Sequence, residues 1–465
     1  MRSSLAVTSV PFACLFFALD AWAQSGELAA ATYRVQEQRL GDFHAERLWE
    51  ASSKDGRHFA YAIGKGGKQL LVVDGQPGPE YEEVAEDSVV FGPDGKRLAY
   101  SARRGGKWFA VVDGKLGSPD EAVLSFVFSP DGKRLAYDVE EAGRYFVVLD
   151  GQRQPECDML SDLFWMFSPD SRRVAYAAKK AGKWSLVLDG KRSPECDMVG
   201  SAVFSPDSKR VAYAAVRGGR SFLVVDDQQV AEHEGHIGRI AFGPDGVRLG
   251  YVVRSGMASF PVIDGQRGPD YSQVERIVFS PNGRRVAYTA RGKDGSLVVV
   301  DGQPGPAFDG STYGTGLPDN DPVFSPDSKR VAYLAQKRLK HFVVVDGQPG
   351  PVYRGARGPV FSSDSKHVAY VAWDGGKWFM VVDQREGPPY TRVLSRWPVF
   401  SRDGKHMAYT AQDGDKMFAV LDTQPGPKYD WVNPDAGPAF HADGTLEYLA
   451  AKSNSLYRVR HVPSH

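Results

Sequence analysis

A turn aspartate followed six residues later by a tyrosine recurs along the chain, and this repeat restricts the fold more than any local propensity does. The aspartates are Asp55, Asp94, Asp131, Asp170, Asp207, Asp245, Asp327, Asp364, Asp403 and Asp443, with Asn282 in the same place. That makes eleven units, in steps of 37 to 45 residues. The tyrosine keeps its place in every unit but the last, where Tyr448 comes one residue early. Self-similarity at about this period marks an array of one supersecondary unit.

The third unit shows what each copy builds. Ser129-Pro130-Asp131-Gly132 reads as a turn: proline presets φ, the aspartate caps nearby amides and glycine takes a positive φ. Lys133 to Asp138 alternates, which puts Leu135 and Tyr137 on one face and Arg134 and Ala136 on the other. Ala142-Gly143 turns the chain again, and Tyr145 to Leu149 reads as a buried strand. A Gly-Gln-Pro-Gly-Pro turn, best seen at Gly302 to Pro306, should then lead to a fourth strand such as Tyr81 to Val84. Four short antiparallel strands in each of about eleven units describe an all-β chain, a β-propeller.

The count allows one large ring or two tandem rings. The long spacer Asp309 to Pro322 could be a crossing between rings or only a loop. The last unit ends after three strands, while Thr32 to Leu40 is strand-like and unpaired. An N-terminal strand that completes the last blade would remove an open edge and join the chain ends.

Residues 1–23 read as a signal peptide: Arg2, an apolar run from Leu5 to Leu19, and Ala21-Trp22-Ala23 as cleavage site. Residues 24–50 are then a closing strand and lead-in, and 51–465 the repeats. A periplasmic or secreted chain is expected, without stable membrane insertion. Lys+Arg and Asp+Glu balance at 57 each, which argues against nucleic acid as the main partner. Export allows a disulfide between Cys157 and Cys196. Their equivalent places in neighbouring units favour two buried thiols instead.

Units such as Phe204-Ser205-Pro206-Asp207-Ser208-Lys209-Arg210-Val211-Ala212-Tyr213, and Phe324 to Tyr333, resemble the TolB-type propeller repeat, a relative of the WD repeat. The resemblance covers nearly all of the mature chain and implies a propeller in an exported bacterial protein. The chain departs from that family in having about twice as many units and too short an N-terminal segment for its separate α/β domain. The Trp-Asp signature of WD repeats is also missing.

Positions shared by all units should serve the blade, and positions that differ can serve one site. The shared turns fall on one face of the ring, so the variable links between blades fall on the other. This places the candidate binding residues Trp165, His233, His236, Arg276, Asp319, Asp321, Arg357, Arg396, Trp397 and Trp431 on or beside those links. The tryptophans could stack on a sugar, anchor a protein or pack between blades. His233 and His236, with Glu232 and Glu234, could be metal ligands or an exposed polar loop. Asp319-Asn320-Asp321 could be a cation loop or a solvated tip. His58, His367 and His406 share one position and read as surface strand residues.

No nucleophile elbow, zinc-protease motif or phosphate loop occurs in the sequence. The expectation is a non-enzymatic scaffold that binds a protein partner or an envelope polymer, with no cofactor and no metal. The alternative is a polysaccharide lyase or hydrolase with a metal and histidines at the channel mouth, as some TolB-like propellers have.

Overall fold

The computed structural model describes residues 33–44, 47–309, 321–395, 397–434 and 436–464, without the side chains of 162–165 and 201. The signal-peptide reading, Asp319, Arg396 and most of the long spacer lie outside these residues. Among the described residues the chain is strands and turns, apart from a single 3-10 turn at Glu86–Ser88.

The strands form eleven antiparallel sheets, numbered here as blades 1 to 11 in chain order. Blade 3 is typical: Ala122–Phe128, Leu135–Glu141, Arg144–Leu149 and Gln152–Arg153, each beside the next. First strands of adjacent blades touch one another, as expected of inner edges that converge on an axis. Eleven core clusters lie between blades, one for each neighbouring pair, including the pair formed by blades 11 and 1. The array is therefore one closed ring, not two.

The core is divided into wedges, and this changes how the second strands read. In blades 4, 5 and 8, Val174–Lys180, Val211–Arg217 and Val331–Lys337 are buried on both faces. A strand in mid-sheet has a neighbouring blade on each side, so alternation does not mark a wet face there. The repeated tyrosine enters the wedge: Tyr61, Tyr213, Tyr370, Tyr409 and Tyr448 are all at most 1% exposed. Each such burial stabilises by about 1.5–3 kcal/mol.

The expected fourth strand is corrected. Asp74 and Gly75 both have positive φ, 50° and 75°, and together form a two-residue hairpin turn. The strand resumes at once, so Gln76–Tyr81 is the fourth strand of blade 1. Glu83–Val84 instead opens blade 2, pairing with Arg103 and Ala102. The Gly-Gln-Pro-Gly-Pro segment is thus mostly outer strand, with its proline at an edge that needs no donor.

Tyr33–Asp42 pairs antiparallel with Ser455–Pro463 and becomes the outermost strand of blade 11. The expected Thr32 to Leu40 is displaced by two residues at its C-terminal end, and Thr32 is outside the described residues. Gly41 crosses Gly75 so closely that a Cβ on Gly41 would lie 2.4 Å from the Gly75 carbonyl oxygen. In the same blade, the buried Glu447 carboxylate receives Arg460 Nε at 2.6 Å, with His441 Nε2 at 3.3 Å and Arg458 Nε at 3.5 Å. Arg458 also donates to the Arg57 carbonyl of blade 1 at 3.1 Å, which ties the last blade to the first.

Candidate functional site: the inner wall of the ring

On the turn face nearly every shared polar group has an intramolecular partner. In blade 3, Ser129 Oγ donates to Asp131 Oδ1 at 2.7 Å, and Asp131 Oδ1 accepts from Lys133 N at 3.1 Å. These bonds hold the Asp131 carboxyl below its ordinary range. The turn aspartates are caps, as expected.

Arg134, which the alternation put merely on the opposite face, has a structural task. Its Nε donates to Asp150 Oδ2 at 2.9 Å, and Nη1 donates to the Arg172 carbonyl of blade 4 at 2.6 Å. Its guanidinium lies 5.3 Å from the centre of the Phe167 ring. Arg97, Arg173, Arg210, Arg248, Arg285 and Arg330 repeat this clasp in blades 2 and 4 to 8. In blades 1, 9 and 10 a histidine takes the arginine's place. His58, His367 and His406 reach Asp74, Asp383 and Asp422 at 2.7, 2.6 and 3.0 Å. Their reading as plain surface residues is corrected, since each is a half-buried member of the clasp.

The variable residues gather elsewhere. The first strand of blades 3 to 7 carries a bulge between its halves, at Leu124/Val127, Leu160/Trp165, Val199/Ala202, Gly238/Ala241 and Val274/Ile277. In blades 2, 9, 10 and 11 that strand is broken in two. A bulge releases residues from the ladder and re-aims their side chains, so the innermost strand presents its most variable stretch without pairing constraints.

Several sequence candidates come together there. Arg276 and Asp321 join blades 7 and 8 through an ion pair of 3.7 Å. Arg239, with φ 51°, pairs with Glu275 at 2.8 Å and joins blades 6 and 7. Burial pushes the Asp321 carboxyl up, against the pull of Arg276 and Arg239. Arg357 Nη1 donates to the Ser395 carbonyl at 3.0 Å, and its guanidinium lies 5.2 Å from the Trp378 ring centre. Trp397, on the broken first strand of blade 10, is 38% exposed. Trp165 closes the blade 4 bulge, paired with Tyr176 through the backbone. Arg239 and Glu275 were missed by sequence reasoning. The signal was their position: Glu275 is within the Ser272 to Arg276 link, and Arg239 directly follows the His233 to Gly238 link.

Three candidates are placed otherwise. Trp431 lies in the closing seam, its ring 5.0 Å from Phe43 and 4.8 Å from Phe59. His233 Nε2 is 3.1 Å from the Tyr251 hydroxyl, and the ring packs on Phe260. Burial lowers its pKa. His236 is exposed, and Glu232 and Glu234 both pair with Arg220 instead of facing the histidines. Among the described residues no three His, Cys, Asp or Glu side chains form a cation-binding group. Cys157 and Cys196 are free and buried, in the place where other blades put a tyrosine, such as Tyr353 or Tyr429.

No protein-family model matches the sequence, and no curated protein matches it either. A solved structure described as a eukaryotic initiation factor is similar over 74% of this chain and 97% of its own, at 12% identity and a TM-score of 0.41. A Kuenenia stuttgartiensis hydrazine synthase is similar over 56% and 96%, at 15% identity and a TM-score of 0.25. Likeness at this level says nothing of what the chain binds or catalyses.

Proposed function

We propose that this chain is an exported, non-enzymatic scaffold that captures a protein or an envelope polymer through the bulged inner strands. One observation carries the reading: residues that vary between repeats lie on the inner-strand bulges, whereas shared polar residues are spent on clasps between blades. Residues at and beside the bulges are freer to differ, because fewer ladder bonds depend on them. Arg239, Arg276 and Arg357, each also held by an intramolecular partner, and Trp397 supply cations and an aromatic surface of the kind that dominates binding interfaces. The bacterial-envelope setting rests on the TolB-type repeat and on the leader read in residues 1–23.

The test is affinity capture from an envelope extract with the full mature chain, followed by mass spectrometry. Arg276→Glu/Arg357→Glu/Trp397→Ala should lose the captured species. Lys133→Glu/Lys209→Glu/Lys329→Glu, on the turn face, should retain it. Equal loss from both variants would reject the assignment.

A further inference from the structure

A groove on the outer wall lies between blades 7 and 8. It has a volume of about 660 Å³, within the small-molecule range of roughly 300–1,000 Å³. Phe308, Tyr333 and Phe342 form its apolar floor, and Lys337, Arg338 and Lys340 edge it. No acidic side chain lines it among the described residues. Lys340 is shared with Asp374 at 3.9 Å. Asp309 uses one carboxylate oxygen to accept from the Arg338 backbone N–H.

The pair formed by blades 3 and 4 is the informative comparison. Between blades 3 and 4 the residue equivalent to Lys337 is Lys180, which pairs with Glu156 at 3.9 Å. Glu156 precedes Cys157 at the outer bridge, just as Ala307 precedes Phe308. Blades 1, 4, 5 and 6 also carry an acid in that place, Glu80, Glu195, Glu232 and Asp270, whereas blades 8, 9 and 10 carry Val352, Pro389 and Lys428. At the 7/8 groove Ala307 stands where blade 3 has Glu156, and Lys337 has no carboxylate partner among the described residues. Compared with the 3/4 pair, the groove has one carboxylate fewer beside its lysine.

The neighbouring hairpin is also unusual. Blades 1, 2, 5 and 9 turn there on Gly-Gly pairs, as at Gly375-Gly376. Blade 8 turns on Arg338 and Leu339, with φ of 49° and 62°. Side chains rarely adopt this conformation, and strain of this kind clusters at ligand sites. Leu339 is 82% exposed and Val352, in the groove wall, 56%.

We propose that the groove between blades 7 and 8 binds a small monocarboxylate with an apolar body. The carboxylate would take the place of the absent Glu156 equivalent beside Lys337, and the body would cover Phe308 and Phe342. The site is separate from the inner wall and does not depend on how that wall functions.

The experiment is calorimetric titration of the full mature chain with decanoate, below its micellar range, and with decanol. A single saturable decanoate site is expected, with decanol at least tenfold weaker. Ala307→Glu supplies the carboxylate from within, as blades 3 and 4 do, and should weaken decanoate at least tenfold without lowering the melting temperature. Lys337→Met, at an exposed position, should weaken it as much. Arg338→Gly/Leu339→Gly should raise the melting temperature and still lose affinity. Absence of saturable heat, equal affinity for decanol, or wild-type affinity in both Ala307→Glu and Lys337→Met would overturn the proposal.

Discussion

His406 Nδ1 lies 3.0 Å from Asp422 Oδ2, in the place where seven other blades put an arginine. The exchange has two consequences. The imidazole is too short to reach the carbonyls of the next blade as Arg330 does at 2.7 Å. It also titrates near neutral pH, where guanidinium does not. His58 and His367 make the same exchange, so the three clasps fall in blades 9, 10 and 1, around the closing blade 11.

Stability should therefore depend on pH at the seam. Hydrogen bonds to Asp74 and Asp422 raise the His58 and His406 pKa above the ordinary 6.5. A raised folded pKa stabilises fully below the unfolded value and loses that contribution as pH rises through the folded one. The window is thus from about pH 6.5 upward. His461 and His233, lowered by burial, act oppositely, costing stability as pH falls below 6.5. His58→Arg/His406→Arg should hold its melting temperature better than wild type between pH 6.5 and 8.5. Parallel melting curves for the two proteins would refute this.

The arginine clasp can be weighed at Arg210, whose Nε donates to Asp226 at 2.9 Å while the guanidinium lies 5.5 Å from the Phe242 ring. The pair is partly exposed, so it contributes little by charge alone, and the ring contact adds to it. Arg210→Ala should cost about 1–2 kcal/mol in urea unfolding. Arg210→Lys should recover less than half, because an ammonium lacks the planar fork.

Removal of residues 33–42 should leave Ser455–Pro463 as a bare edge of nine residues. Exposed edges pair with other chains. The truncated protein should elute as larger species than the untruncated chain in size-exclusion chromatography. A stable truncated monomer with the same melting temperature would show that the strand does not close the ring.

The cysteines should be silent in the folded chain. Burial pushes the Cys157 thiol up to about 11 and raises Cys196 as well. Both lose thiolate character, which is what alkylating reagents attack. Labelling at pH 8 should proceed only at the rate of unfolding, with two thiols of the mature chain released together in denaturant. Fast labelling of either one in buffer would contradict its burial.

The units, their turns and the closing strand were legible in the sequence because they rest on local chemistry repeated in every copy. Positive-φ glycines, proline and capping aspartates act within a few residues, so their spacing reports the strands directly. The outer strand was misplaced because Asp74-Gly75 is itself a complete hairpin turn, and the richer Pro-Gly run drew attention from it. The inner wall was legible only in part. Variation between repeats marked Arg276 and Asp321, but the same test also selected Trp431 and His233, which the fold uses in packing.

The sequence alone determined an array of four-stranded blades whose ends meet, since each copy encodes its own turns and the last lacks a strand. Only the tertiary structure decided that eleven blades close as one ring. Ring size depends on the angle between neighbouring sheets, which is set by how Tyr, Ala and Val side chains fill each wedge. No single unit encodes that angle. For the same reason, whether Glu275 meets Arg239, or Lys337 lacks a carboxylate partner among the described residues, became visible only when blades were set side by side.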